Sequence, residues 1–227
     1  MKNFSAILIL IFFAGCVSLP DKIDPEFLKN KTPEEEQKLD TIEKEKITIS
    51  DEKDKADQAL SVTELRIPVI KGEISTTESE IKNLNQKQDL YLKTNDQTKL
   101  EEVKKDLLKN QNILRLKKEE LKYFQAKKEQ QMAQADLKAA ELSVKVGEQR
   151  YEEAKIGRKN EDLKRGPAQL KDGKPQDKDR INVGKYEEYY KSEKEKIPNK
   201  QKDLDKTTEE LRKADASLKA AGYTGDL

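Results

Sequence analysis

Residues 56–84 read ADQALSVTELRIPVIKGEISTTESEIKNL. Ala56, Leu60, Thr63, Ile67, Ile70, Ile74, Thr77, Ile81 and Leu84 follow one another at alternating steps of four and three. A helix turns once in 3.6 residues, so this spacing lays them along one stripe and predicts a coiled-coil seam. The register extends both ways. One seam position holds Leu39, Lys46, Lys53, Leu60, Ile67, Ile74, Ile81 and Gln88, and the other holds Ile42, Ile49, Ala56, Thr63, Ile70, Thr77, Leu84 and Tyr91. Pro68 removes a backbone donor and predicts a kink, which Gly72 would ease. The β-prone run Ile47-Thr48-Ile49 is a second weak point.

Working outward, Thr32-Pro33-Glu34-Glu35 is a helix start. Thr32 can cap, Pro33 suits the first turn, and Glu35 completes a capping box. Lys93-Thr94-Asn95-Asp96 reads as a turn, with Thr94 and Gln97 as a second capping box. The next helix carries Leu100, Val103, Leu107, Leu114, Leu121 and Phe124. After a slip near Lys128 it continues through Met132, Ala135, Ala139, Leu142 and Val146. It fades after Tyr151 and Ala154, and Gly157 is the expected stop. Helices over 33–93 and 97–156, nearly equal in length and joined by a short turn, imply an antiparallel hairpin spanning 32–156. Sixty residues at 1.5 Å each would reach about 90 Å. Residues 157–182 read as a basic linker broken by Gly157, Gly166, Pro167, Gly173 and Pro175. A third helix over 183–222 restores the heptad with Val183, Tyr190, Ile197, Leu204, Leu211 and Leu218 on one seam position. Tyr186, Thr207, Ala214 and Ala221 take the other. Pro198 predicts a break or kink, and Gly222 a C-terminal stop. The expected fold is all-α: an elongated antiparallel coiled-coil hairpin with a third C-terminal helix.

The first residues, MKNFSAILILIFFAGC, have the plan of a secretory signal peptide: Lys2, an apolar run from Ala6 to Phe13, then small Ala14 and Gly15. The run is too short to span a bilayer, which needs roughly 20 residues. Phe13-Ala14-Gly15-Cys16 resembles the lipobox of bacterial lipoproteins, although Phe13 stands where Leu is commonest. The relaxed box and the Lys- and Ile-rich style are similar to spirochaete lipoproteins. The resemblance implies removal of a signal peptide, residues 1–15, and attachment of acyl chains such as palmitate to Cys16. Several chains together make a stable anchor, since each buried methylene contributes about 0.8 kcal/mol. Residues 16–31, with Pro20 and Pro25, then read as a non-helical tether. Cys16 is the only cysteine, so no disulfide forms within the chain.

Charged residues make up 40% of the chain and apolar residues 33%, which suits long solvated helices better than one thick core. Removing residues 1–15 takes one of the 46 basic side chains, Lys2, and leaves 45 against 45 acidic ones. Without a basic excess, nucleic acid is not an expected partner. The chain has no histidine. That removes the commonest general base and the commonest metal ligand, so no catalytic, cofactor or metal residue is assigned and no small-molecule substrate is expected. Tyr186, Tyr189 and Tyr190 form an aromatic cluster, read as seam packing with one ring snorkelling rather than as a binding patch. Lys117, Lys118, Lys122, Lys127 and Lys128 surround Tyr123 and Phe124. Because Glu119, Glu120 and Glu129 interleave, that stretch reads as a solvated helical face.

These features predict a non-catalytic, lipid-anchored lipoprotein of the bacterial cell envelope. The lipid on Cys16 holds the membrane, and the helical seams engage a protein partner or a second copy. Val17 is not the Asp that retains lipoproteins in the inner membrane of enteric bacteria, so the outer membrane is preferred, facing either the periplasm or the medium. The alternative is a tethered periplasmic chaperone or an accessory component of a transport or secretion machine.

Overall fold

A computed structural model of the chain describes residues 18–165, 170–171, 174–175 and 180–224. A short 3-10 helix, Pro25–Leu28, precedes three long helices: α1 (Pro33–Thr94), α2 (Gln97–Arg165) and α3 (Val183–Ala220). Between α2 and α3, β1 (Leu170–Lys171) pairs antiparallel with β2 (Lys174–Pro175). The fold is an all-α hairpin with a third helix. Its contacts divide into two compact units, each built from a piece of every long helix. Unit 1 takes residues up to 44 and 143–195, and unit 2 takes 45–142 and 196 onward.

The helix ends follow from local chemistry. At the start of α1 the Glu35 N–H donates to Thr32 Oγ1 at 3.3 Å, and the Thr32 N–H donates to Glu35 Oε2 at 2.8 Å. The first capping box is therefore formed. The second is not. The Thr94 hydroxyl turns back to the Leu90 carbonyl at 3.1 Å, and Asp96 caps α2 instead, accepting from the Lys99 N–H at 3.2 Å. Asn95 has φ 56°, a left-handed conformation that Asn tolerates through its short polar side chain. The bonds Asn95 N to Leu92 O and Asp96 N to Tyr91 O complete a Schellman turn. Gly222, at φ 100°, ends α3 in the same way, with Gly222 N to Lys219 O and Tyr223 N to Leu218 O.

α1 runs unbroken through Pro68, and α3 through Pro198, so of the kink or break expected at Pro198 the break does not occur. Each proline deletes one backbone bond, and the bonds on either side carry the helix across. α1 is likewise unbroken at Ile47-Thr48-Ile49.

In unit 2 the hairpin is antiparallel, as the pairs Glu52–Lys138, Glu64–Lys128, Glu73–Lys117 and Glu78–Lys118 show, all at 2.8–3.0 Å. α3 lies on α2, with Lys200 Nζ 2.6 Å from Asp136 and the Ser217 hydroxyl donating to Glu119 at 3.0 Å. In unit 1 the same order holds, through Glu35–Lys159 and Lys38–Glu152 on one side of α2 and the stacked rings of Tyr151 and Tyr190 on the other.

All sixteen α1 seam residues are buried or half-buried, and the second position is the deeper: Ile42, Ala56, Thr63, Ile70 and Thr77 are buried. On α2 the expected seam holds except at Met132, which is exposed. Tyr123, Gln131 and Leu137 are buried although they lie off that seam. None of residues 137–158 is exposed. The reason is that α2 carries a helix on each of two sides, so one stripe cannot describe its buried face. α2 also continues through Gly157 to Arg165.

Candidate functional site

Cys16, the predicted lipid attachment residue, lies outside the described residues, as do residues 1–15, the expected signal peptide. The described chain begins two residues later, and its opening stretch is not a free tether. Asp24 caps the 3-10 helix by accepting from the Glu26 N–H at 2.9 Å, and Pro25 fills the first helical position, where a missing donor costs nothing. The segment then packs onto unit 1. Pro20 and Ile23 are buried, and Ile23 joins Ala154 and Tyr186 in a small core. Phe27, Leu28, Tyr151, Ile181 and Val183 close around it. Three polar contacts fix the backbone of this arm. The Tyr186 hydroxyl donates to the Asp21 carbonyl at 3.1 Å, and the Asn160 amide donates to the carbonyls of Phe27 at 2.6 Å and Asn30 at 3.3 Å. Burial, with Asp21 nearby, pushes the Tyr186 hydroxyl above its ordinary pKa, so it remains a donor. Lys164 lies 5.5 Å from the Phe27 ring centre.

Gly157 explains both the close approach and the length of α2. A Cβ there would stand 2.9 Å from Ile23 Cγ2 and 2.9 Å from Ile181 Cδ1. This glycine makes room for its neighbours and does not end the helix. The continuation to Arg165 carries Asn160, Glu161 and Asp162. Glu161 accepts from the Ile181 N–H at 3.0 Å, and Asp162 takes Arg180 at 2.7 Å. Part of the expected linker is thus helix, and its last residues are packed.

The tyrosine cluster is packing material. Tyr186 and Tyr189 are buried and Tyr190 is half-buried against Tyr151. The Tyr189 ring sits over Gly147, where a Cβ would lie only 3.2 Å from it. The lysine-rich stretch is neutralised from both helices. Lys117 meets Glu73 and Glu120, Lys118 meets Glu78, Lys122 meets Glu119, and Lys128 meets Glu64. Lys127 rests 5.5 Å from the Tyr123 ring centre.

Two carboxylates sit well inside this charge lattice. Burial of Glu120 opposes its ionisation, but hydrogen bonds from Lys117 and Arg66 outweigh that and hold it below the usual carboxylate range. Glu152 follows the same pattern, with burial overcome by Lys155 and Lys38. Both are therefore fixed as anions, the opposite of what a proton donor at neutral pH needs. Among the described residues, no cluster of three or more His, Cys, Asp or Glu could hold a metal ion, and no helix is long and apolar enough to cross a membrane. Two surface depressions, of about 430 and 350 Å3, each run along one helix, over Gly184–Glu195 of α3 and Gln111–Lys122 of α2.

The sequence reading missed the arm. Its signal was present in Asp24-Pro25 followed by Phe27-Leu28, an apolar pair behind a helix cap, and in Gly147 and Gly157, glycines spaced inside a helical pattern. Comparison with family models, with curated proteins and with solved structures gives no match.

Proposed function

We propose that the chain is a non-catalytic envelope lipoprotein, anchored through acyl chains on Cys16, whose helical bundle serves a structural or protein-interaction role at the outer membrane. The observation that carries this reading is the sequence Phe13-Ala14-Gly15-Cys16, with the only cysteine of the chain placed directly after an apolar run and two small residues. The charge lattice supports the non-catalytic part. Glu120 and Glu152 each pair with a lysine of their own helix and with a cation of α1, so their charges serve the packing of helices.

Replacing Cys16 by Ser tests the anchor. The variant should lose incorporation of labelled fatty acid and leave the detergent phase. Retention of both by Cys16→Ser would overturn the reading. Crosslinking in intact cells followed by pulldown tests the interaction role. Capture of a second copy or of an envelope protein supports it, whereas capture of transport-machine components would favour the accessory role.

A further inference from the structure

The packed arm changes what a lipid on Cys16 would do. If residues 17–31 were free, they would act as a leash with an end-to-end distance on the order of 21 Å. The arm is taken up by the fold from its first described residues, because Pro20 and Ile23 are buried and the Asp21 carbonyl is held by Tyr186. Only four Cα-to-Cα steps separate Cys16 from Pro20, the first buried residue, a span of at most about 15 Å.

We propose that unit 1 rests directly on the phospholipid headgroups, with the surface around residues 18–22 as its contact. This rests on the acylation of Cys16 proposed for the anchor. Of the exposed side chains there, Leu19 and Lys22 suit such a surface, and Lys22 offsets the adjacent charge of Asp21. Leu19 is about half exposed, in a position to sit at the boundary of headgroups and acyl chains. Lys22 is exposed, and its long stem lets the ammonium reach lipid phosphates. A lipid surface is the occupant that the chain itself dictates, since so short a stretch joins this patch to the anchored residue.

Neutron reflectometry on the full, acylated protein in a supported phospholipid bilayer reads the distance. Protein density should begin at the headgroups with no water layer between. Ile23→Asp, which places a charge in the arm's core contact, should release the arm and open a hydrated gap approaching about 20 Å, the length of the free leash. Asn160→Ala, which removes the two amide bonds to the arm without touching that core, is the second release variant and should widen the gap in the same direction. Fatty-acid labelling is run on every sample. Loss of label in the unaltered protein would sink the lipoprotein reading and this proposal with it. Intact label with a wide gap in the unaltered protein, or with no gap in either variant, would overturn the proposal alone.

Discussion

Three glycines inside helices hold three different places, and the difference is measurable. Around Gly72 a Cβ would meet nothing within 4 Å. Gly72→Ala should therefore raise stability by about 0.5–1 kcal/mol, the ordinary helix-propensity gain. At Gly147 the Tyr189 ring stands over the glycine, and at Gly157 the same methyl would press on Ile23 and Ile181 at 2.9 Å. Gly157→Ala should forfeit that gain and lower the stability of unit 1 by about 1–3 kcal/mol, as overpacking does. Denaturant midpoints of the Gly72 and Gly157 variants check this, and equal shifts would show that Gly157 has no packing role. At this scale the sequence is only partly legible. A glycine is a poor helix former wherever it stands, so Gly157 reads as a stop. What lies across from it belongs to residues 23 and 181, far off in the chain. Thr94 misleads for a related reason. Its hydroxyl can serve either the helix behind it or the one ahead, and the left-handed Asn95 decides for the one behind.

Among the elements, α1 is the most readable because its buried face is one stripe. Within that stripe Ile70 is fully buried, while Leu65, off the stripe, is 73% exposed. Ile70→Ala should cost about 2–5 kcal/mol. Leu65→Ala should stay within roughly 0.5 kcal/mol. Ile74→Ala and Ile81→Ala should fall between, since both side chains are half-buried. The local unfolding of unit 2, followed by hydrogen exchange, separates these cases, and four equal values would reduce the heptad to a coincidence of composition. α2 is harder to read because it has two neighbours. Met132 continues the heptad yet is exposed, and Tyr123 breaks it yet is buried. A single period cannot encode two seams on one helix, and the second seam becomes visible only once α3 is in place.

For the molecule as a whole, the balance of 46 basic and 45 acidic side chains without a histidine sets the response to pH. Glu120 and Glu152 have lowered folded-state values, so their contribution is present above the unfolded carboxylate range, about 4.3, and is lost as pH falls through the folded values below it. For Lys117, burial opposes the charge but is outweighed by Glu120 and Glu73. For Lys138, hydrogen bonds to Glu141 and Glu52 dominate, and both lysines are raised. Burial raises Tyr123 and Tyr186. These groups contribute below about pH 10, and the contribution is lost as pH rises through their folded values. Urea midpoints should accordingly lie on a plateau from about pH 5 to 9.5 and fall on both sides. A step between about pH 6 and 8 would contradict this account. The expected anchor rests on one contiguous stretch of sequence, whereas the arm's seat could not be read there, because its partners come from the other end of the chain. Tyr186 grips Asp21 across 165 positions, and Asn160 grips Phe27 across 133. That separation imposes an order in time. As the chain is made from its first residue, the arm has nothing to close upon until Tyr151, Ala154 and Asn160, then Ile181 and Tyr186, have emerged. Throughout that interval residues 18–30 lie open, and the arm takes its seat as a late event, once the last helix has arrived.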